Sequence, residues 1–314
     1  MSEKTRLLVL GRVADEAAER IRVEAPELAV TVRGFDDATP ADLDAAEVLL
    51  AFRIPRAIEH AAGNVRWVQS SGAGVDGLLG CPTLREDVPI TRVVGAFNLR
   101  MSEYVLARCL AIAQRIPQLE TERRARRWAP FYPRTLRELR VTIVGVGEIG
   151  GAAARALTLH GARVVGVNRT GAAVDGVPEV VPLTRLPELL PRTDVLVLVV
   201  PRTRATERLI GRRELDLLPR DAWIVNVARG AVIDEAALSD SLAAGRIGGA
   251  ALDVFETEPL PESSPLWSSP NVMFSPHVAG LTTPDEAADA FLGNWRRFRA
   301  GEPLVGVIDR ARGY

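Results

Sequence analysis

Several features that would define other classes of protein are scarce in this sequence. Its 314 residues include only two cysteines, Cys81 and Cys109, too few for a disulfide framework and not spaced as metal ligands. No apolar run approaches the roughly 20 residues of a membrane-spanning helix, and Met1–Arg6 is polar where a signal peptide would be apolar. We therefore expect a cytoplasmic protein with no membrane partner and no metal site.

An excess of either charge is also missing. Lysine and arginine total 39, aspartate and glutamate total 40, and the net charge is -1, which argues against nucleic acid or an anionic membrane as a partner. We interpret the basic run at residues 123–127 as a solvated face or a subunit contact for the same reason. The expected partners are small molecules.

Short apolar runs alternate with helix-period stretches along the chain, which is typical of parallel sheets with crossover helices. The length favours two domains, both α/β, with the larger sheet second. The predicted strands are Arg6–Leu10, Leu28–Val32, Val48–Phe52, Val65–Val68, Ile90–Val94, Arg140–Val144, Arg163–Val167, Val195–Val199, Trp223–Val227, Gly249–Asp253 and Val272–Phe274. The main predicted helices are Arg100 to about Trp128, Gly151–His160 and Pro284–Ala300.

A glycine motif joins one predicted strand to one predicted helix. It reads Gly145-Val146-Gly147-Glu148-Ile149-Gly150. The first glycine permits a tight turn, the second lets the backbone approach a pyrophosphate, and the third lets the helix pack closely on the strand. The helix N-terminus would then face the phosphates. The motif predicts a dinucleotide site.

The residues after the next strand bear on the choice of cofactor. An NAD site usually has an acid there for the ribose hydroxyls, but this chain has Asn168, Arg169 and Thr170. Arg169 and Thr170 suit a 2′-phosphate, arginine through a charge-assisted hydrogen bond, so we predict a preference for NADP(H). A solvated loop with Asn168 bonded to the ribose is the alternative, and it leaves NAD(H) as a second cofactor.

Three further polar residues, Arg229, Glu258 and His277, each follow a predicted strand. Ligands bind beyond the carboxyl ends of parallel strands, so we expect the three side chains in one crevice. Taken singly, each has an ordinary interpretation: a solvated turn arginine, an acid at a helix start, and a packed loop histidine.

Residues 226–280 read NVARGAVIDEAALSDSLAAGRIGGAALDVFETEPLPESSPLWSSPNVMFSPHVAG. This segment resembles the signature of the D-isomer-specific 2-hydroxyacid dehydrogenases nearly end to end, and the whole chain resembles that family. The resemblance implies two doubly wound parallel-sheet domains, with a Rossmann cofactor domain (98–283) inserted in a flavodoxin-like substrate domain (1–97 and 284–314). A homodimer, packed through the helical arm before Trp128, is also implied.

The resemblance implies a role for each polar residue. Arg229 would bind the substrate carboxylate and carbonyl, His277 would be the acid/base, and Glu258 would orient His277. The chemistry agrees, because reducing a ketone needs a proton on the oxygen as the hydride reaches the carbon, and histidine exchanges protons near neutrality. The planar fork of arginine suits a carboxylate.

Further site residues are implied in both domains. Ser70–Leu78 resembles the family's substrate loop, whose N–H groups at Gly72, Ala73 and Gly74 would hold the carboxylate; an ordinary glycine-rich turn is the alternative. Val200–Thr206 resembles the stretch beside the nicotinamide, and Asp253 matches a position near the carboxamide. The predicted cofactor contacts are Gly145, Gly147, Glu148, Ile149, Gly150, Asn168, Arg169, Thr170, Val200, Pro201, Thr206, Val227, Ala228, Arg229, Asp253, His277, Ala279 and Gly280.

Three segments narrow the resemblance: Met101–Leu106, Trp128–Pro130 and Asp309–Tyr314 are similar to bacterial glyoxylate/hydroxypyruvate reductases of the A type, which prefer NADPH. The implied activity is reduction of glyoxylate, hydroxypyruvate or relatives to D-2-hydroxy acids. Phe52-Arg53 departs from that type, which has an aromatic residue followed by histidine. We hypothesise that Arg53 recognises a second anionic group on a larger 2-oxo acid; a solvated or structural arginine is the alternative.

Two other functions remain open on the sequence. Relatives oxidise formate or phosphite, but formate enzymes resemble a pattern with glutamine in place of Glu258. Transcriptional corepressors share this fold and can retain all three polar residues, so a cofactor-sensing protein is the alternative from another class. Turnover of a 2-oxo acid would distinguish an enzyme from such a sensor.

Overall fold

A computed structural model of the chain describes residues 4–11 and 14–314. Met1–Glu3, part of the polar start noted above, and residues 12–13 lie outside the described residues. Across 4–11 and 14–314, no helix is both long enough and apolar enough to span a membrane.

The described part of the chain contains twelve strands and ten α-helices, together with six short 3-10 helices. The strands are β1 (Thr5–Leu10), β2 (Leu28–Arg33), β3 (Val48–Ala51), β4 (Trp67–Gln69), β5 (Ile90–Thr91), β6 (Arg140–Val144), β7 (Arg163–Asn168), β8 (Val180–Pro182), β9 (Val195–Leu198), β10 (Trp223–Asn226), β11 (Gly249–Leu252) and β12 (Val272–Phe274). The helices are α1 (Ala14–Glu24), α2 (Pro40–Ala45), α3 (Asp76–Leu79), α4 (Asn98–Ala113), α5 (Ile116–Arg124), α6 (Glu148–Leu159), α7 (Leu186–Leu189), α8 (Arg212–Leu217), α9 (Glu235–Ala243) and α10 (Pro284–Ala300).

The chain divides into two compact units. Unit 1 comprises Met1–Phe97 and Leu281–Tyr314, and unit 2 is the continuous stretch Asn98–Gly280. The predicted domain boundaries differ from this division only at residues 281–283, which group with unit 1.

Unit 1 is built on a parallel sheet of five strands in the order β2-β1-β3-β4-β5. This order is that of flavodoxin-like folds, as predicted. Helix α10 covers one face of the sheet, where the Phe291 ring stacks on Trp67 with 5.1 Å between ring centroids. A capping box of Thr283 and Glu286 begins α10, and Gly301 in the left-handed conformation ends it.

Unit 2 is built on a parallel sheet of seven strands in the order β12-β11-β10-β9-β6-β7-β8. This is the Rossmann order with one additional strand, and it confirms that the second sheet is the larger. The strand order reverses between β6 and β9, the position at which such sheets bind ligands. Helix α6 follows β6 at this point, so the glycine motif lies at the switch.

The structure departs most from the sequence prediction in three places. Strand β8 was not predicted, because three residues that pair only with β7 and end in Pro182 give too short a pattern. The helix predicted over 100–128 is two helices, since Arg115 is left-handed and Pro117 lies in the first turn of α5. Strand β5 has two residues instead of five: β4 is its one neighbour among the strands, and on its other side Thr91 forms only an isolated antiparallel bridge with Val307.

Candidate functional site

The glycine turn after β6 has the geometry that a dinucleotide requires. Gly145 has φ +101°, and a β-carbon there would lie 2.5 Å from the carbonyl oxygen of Val199. A β-carbon at Gly150 would overlap the carbonyl oxygen of Gly145, so this glycine sets the close packing of helix and turn. A β-carbon at Gly147 would meet only open space, which leaves its backbone accessible to a ligand.

Helix α6 begins at Glu148, directly after Gly147, three residues before its predicted start. The residue before the helix, Gly147, has no side chain to cap the first turn, so the N–H groups there are available to an anion, and twelve residues of helix align behind them. The Glu148 carboxylate accepts a 3.3 Å hydrogen bond from Asn98. Ile149 follows Glu148 in the same first turn.

The loop after β7 holds the residues predicted to choose between the cofactors. The side chain of Asn168 is committed to the loop itself: it accepts from the N–H groups of Thr170 (3.1 Å) and Gly171 (2.6 Å) and donates to Ala172 (2.8 Å). Arg169 is exposed and makes no hydrogen bond or ion pair within residues 4–11 and 14–314. An unpaired guanidinium therefore stands where the acid of an NAD site would be.

The loop after β9 contains the predicted contacts Val200, Pro201 and Thr206. Thr206 is buried, and its hydroxyl donates to the carbonyl of Pro201 (2.6 Å) and accepts from the N–H of Thr203 (2.8 Å). These bonds fix the shape of the loop.

Arg229 follows β10 on a turn that the neighbouring residues define. Asn226 accepts from the N–H of Ala228 (3.0 Å) and donates to the carbonyl of Arg229 (3.1 Å). Gly230 packs so closely that a β-carbon would overlap the backbone of Phe255. The half-buried Arg229 side chain donates to the carbonyl of Ala228 at 2.7 Å. Predicted contacts Val227 and Ala228 are both buried.

His277 and Glu258 are brought together as predicted. Nδ1 of His277 lies 2.7 Å from Oε2 of Glu258, while Oε1 of Glu258 accepts from the N–H of Phe255 at 3.0 Å. Both side chains are 36% exposed, so the ring can exchange protons with solvent. His277 has φ +53°, a left-handed conformation that is uncommon for a residue with a β-carbon.

The environment of Glu258 keeps its carboxyl group ionised. Partial burial would raise its pKa, but the hydrogen bonds from His277 and from the N–H of Phe255, together with the charge of Arg229, outweigh burial and hold the pKa below its ordinary value. An ionised carboxylate accepts the N–H of Nδ1 and leaves Nε2 as the ring nitrogen available for chemistry.

Asp253 is committed to the loop that bears His277. Its carboxylate accepts from the hydroxyl of Ser275 (2.6 Å) and from the N–H groups of Val278 (2.9 Å) and Ala279 (3.0 Å). The hydroxyl of Tyr104, on α4, lies 2.6 Å from that of Ser275. Sequence reasoning missed Ser275 and the contact of Tyr104, because nothing local relates residues 171 positions apart.

In unit 1, the loop after β4 contains Gly72, Ala73 and Gly74. The Ser70 hydroxyl accepts from the N–H of Gly72 (3.2 Å) and donates to the carbonyl of Gly74 (2.8 Å), which folds the loop back on itself. The N–H groups of Ala73 and Gly74, both half-buried, donate to no acceptor in the part of the chain that the structure describes. Two adjacent unpaired donors of this kind suit an anion.

Arg53 follows β3 in the same unit. A β-carbon on Gly77 would lie 2.6 Å from Cβ of Arg53, so the backbones are in close contact. The exposed guanidinium stacks on the Phe35 ring, 4.6 Å from the ring centroid, and it pairs with no carboxylate among the described residues.

Three of the four arginines in the basic run are neutralised locally. Arg123 and Arg124 pair with Glu120 at 2.6 and 2.9 Å, and Arg127 pairs with Glu122 at 2.7 Å. These pairs favour the interpretation as a solvated face or a subunit contact.

Comparisons with known proteins agree on one family. The model of the D-isomer specific 2-hydroxyacid dehydrogenase NAD-binding domain matches residues 106–279. Glyoxylate/hydroxypyruvate reductase A of Yersinia enterocolitica is 32% identical over 279 residues, which cover 87% of this chain and 89% of that protein. The protein of the same name from Salmonella newport is 34% identical over 280 residues, with the same coverage.

Solved structures give the same result. A D-isomer specific 2-hydroxyacid dehydrogenase from Xanthobacter autotrophicus Py2, in complex with NADPH and MES, is 37% identical with a TM-score of 0.87 and 100% coverage of both chains. An NADPH-dependent glyoxylate/hydroxypyruvate reductase from Sinorhizobium meliloti, in complex with NADP and sulfate, is 30% identical with a TM-score of 0.88, covering 99% of this chain and 100% of the other.

Proposed function

Because the chain belongs to the D-isomer specific 2-hydroxyacid dehydrogenase family, we propose that it reduces glyoxylate, hydroxypyruvate or a close relative to the 2-hydroxy acid, with the D configuration where the product is chiral. It is an NAD(P)-dependent oxidoreductase of that family. The observation that carries the proposal is the 2.7 Å hydrogen bond between His277 and Glu258, in the unit that also holds the glycine turn and Arg229.

His277 is the proposed acid. Reduction of a 2-oxo acid adds a hydride to the carbonyl carbon and a proton to the carbonyl oxygen. Nε2 of His277 donates that proton, because Nδ1 is held by Glu258. The Glu258 carboxylate fixes the ring orientation and stabilises the imidazolium before transfer. The ring regains a proton from solvent, which its partial exposure allows.

Arg229 is the proposed substrate anchor. Its planar guanidinium suits two parallel hydrogen bonds to the carboxylate of a 2-oxo acid, and its positive charge polarises the adjacent carbonyl. The turn set by Asn226 and Gly230 supports this role, because it restricts the position of the Arg229 backbone, from which the side chain extends.

NADP(H) is the proposed cofactor, and when bound it supplies the hydride. Gly145, Gly147 and the first turn of α6 would hold the pyrophosphate, and the accessible backbone at Gly147 supports this fit. Arg169 would bind the 2′-phosphate. The unpaired state of its guanidinium, and the NADPH and NADP bound to the two structural relatives, support a preference over NAD(H).

The loop Gly72–Gly74 of unit 1 is proposed to bind the substrate carboxylate. Its support is the pair of unpaired N–H groups at Ala73 and Gly74, whose half-burial makes an anionic acceptor favourable. This loop would act through backbone dipoles and not through side-chain charge.

A second candidate substrate class rests on Arg53. Its guanidinium is exposed, has no carboxylate partner among the described residues, and belongs to the same unit as the loop Gly72–Gly74. A larger 2-oxo acid with a second anionic group would gain a charge-assisted hydrogen bond there. We expect R53A to lower kcat/KM for a dianionic 2-oxo acid and to leave glyoxylate unchanged; equal substrate ranking in both proteins would refute this role.

We propose a homodimer because large apolar side chains on and near α5 are exposed. Trp128 and Tyr132 are each 97% exposed, and Ile116 and Leu119 of α5 are also exposed. Isolated chains rarely leave so many large apolar side chains in water on one segment, so a second copy of the chain is the proposed cover.

The proposed function is tested by oxidation of NADPH and NADH with glyoxylate, hydroxypyruvate and pyruvate. We expect NADPH to be consumed faster than NADH, and H277Q to lower kcat by roughly 10²- to 10⁴-fold while NADPH binding persists. H160Q is the matched control, since His160 lies at the end of α6. A protein that binds NADPH but turns over no 2-oxo acid would refute the enzyme and favour the cofactor-sensing alternative.

A further inference from the structure

A series of hydrogen bonds connects helix α4 to the loop that carries His277. Oη of Tyr104 lies 2.6 Å from Oγ of Ser275, and Oγ of Ser275 lies 2.6 Å from Oδ1 of Asp253. A carboxylate only accepts hydrogen bonds, so Ser275 donates to Asp253 and Tyr104 donates to Ser275. Neither hydroxyl has another hydrogen-bond partner within residues 4–11 and 14–314. Both hydroxyl groups therefore take part in this series of hydrogen bonds and in no other.

Asp253 transmits the constraint to the backbone around His277. Its two carboxylate oxygens accept the N–H groups of Val278 and Ala279, and its carbonyl accepts the N–H of His277 at 2.8 Å. His277 adopts φ +53°, which a β-carbon disfavours and which the surrounding bonds must maintain. The loop is therefore held on both sides of the histidine.

Tyr104, the first residue in this series of hydrogen bonds, is itself held in place. Its ring is half-buried on α4, and the guanidinium of Arg108, one helical turn later, lies 4.5 Å from the ring centroid. Ser275 and Asp253 are 8% and 2% exposed, so water competes little for the two short hydrogen bonds.

We propose that Tyr104 and Ser275 are positioning residues for the reaction: through Asp253 they hold His277 where Nε2 reaches the carbonyl oxygen of the substrate. The inference rests on the proposed acid role of His277. Neither residue contacts the reacting atoms in this scheme, and their effect is the precision with which the imidazole is placed.

The kinetic test compares S275A and Y104F with matched controls. S241A removes another buried hydroxyl in unit 2, which bonds to Ala237, and Y314F removes an exposed phenol. We expect kcat to fall roughly tenfold in S275A and less in Y104F, with KM for the 2-oxo acid changed less than about twofold. The double variant should be no slower than S275A, because Tyr104 acts only through Ser275.

A second readout needs no turnover. The chain has three histidines, so ring resonances of His60, His160 and His277 can be resolved by NMR of isotope-labelled protein and assigned with H277Q. We expect the His277 resonances to shift in S275A and in Y104F, and the other two to stay in place. Y104F removes only one oxygen atom, so the proposal can still be tested with Y104F if S275A does not fold.

Unchanged kcat and unshifted His277 resonances in both variants would overturn the inference. Wild-type protein that binds NADPH without turnover would refute the proposed function instead, and the resonance test would still stand. The two failures are therefore distinguishable.

Discussion

At the scale of single residues, the charge of Arg169 should separate the two cofactors. We expect R169A to raise KM for NADPH roughly 10- to 100-fold, which corresponds to the loss of one charge-assisted hydrogen bond. KM for NADH should stay nearly unchanged. R213A, which removes an exposed arginine on α8, is the matched control. Equal losses with both cofactors would contradict a 2′-phosphate site at Arg169.

The charge of Glu258 can be tested with a variant that keeps the size and shape of the side chain. The amide of E258Q has one oxygen, so it can accept from Nδ1 of His277 or from the N–H of Phe255 but not from both. It also no longer stabilises the imidazolium, so we expect kcat to fall about a hundredfold. Steady-state kinetics with NADPH and glyoxylate measure this, and E256Q, at an exposed neighbouring acid, should behave as wild type. An unaltered kcat in E258Q would show that charge is irrelevant at this position.

Residues that belong to a contiguous motif were predictable, and residues joined across the chain were not. Arg229, Glu258 and His277 each follow a strand within one recognisable segment, so the pairing of His277 with Glu258 could be anticipated. The link from Tyr104 to Ser275 depends on how α4 packs, and no local pattern reports it.

At the scale of elements, the start of β6 and the turn before β9 are tied by Asp194. Its carboxylate accepts from the N–H of Arg140 (2.8 Å), from the Arg140 side chain (2.9 Å) and from Arg134 (3.3 Å). Burial would raise the pKa of Asp194, but these bonds from the two arginines outweigh it and hold the pKa below its ordinary value.

The stability supplied by Asp194 should therefore depend on pH. A lowered folded-state pKa means that the stabilisation is complete above the unfolded-state pKa of about 4 and is lost as pH falls through the folded value. We expect D194N to lower the free energy of unfolding by about 2 kcal/mol at pH 7, and the difference from wild type to shrink below about pH 4.

Urea unfolding of both proteins at a series of pH values measures this difference. D216N is the control, since Asp216 forms an exposed pair with Arg246 and should contribute under about 1 kcal/mol. A gap between wild type and D194N that is the same at pH 7 and at pH 3.5 would point to packing and not to charge.

Elements with a clear periodicity of apolar residues were predicted well, and short strands at the sheet edges were not. Helix α10 matches its predicted bounds because Thr283 and Gly301 mark both ends in the sequence. Strand β8 and the two-residue β5 lie at sheet edges, where each has a single neighbouring strand and the sequence pattern is correspondingly brief.

At the scale of the whole molecule, the proposed dimer makes a direct prediction. We expect W128S to weaken self-association roughly tenfold or more, because exposed tryptophans at interfaces contribute strongly, as measured by analytical ultracentrifugation. L159S replaces another exposed apolar side chain, on α6, and should not change the association. Wild-type protein that sediments as a monomer at all concentrations would exclude the dimer.

The insertion of unit 2 within unit 1 also sets an order for the nascent chain. A ribosome that has released residues 98–280 has delivered every residue of unit 2, but not Phe291, which stacks on the fully buried Trp67 of unit 1. We therefore expect unit 2 to fold during synthesis while the earlier β1–β5 sheet waits for α10. The N-terminal segment, although made first, is completed last, and until then its uncovered apolar face is a surface for chaperones.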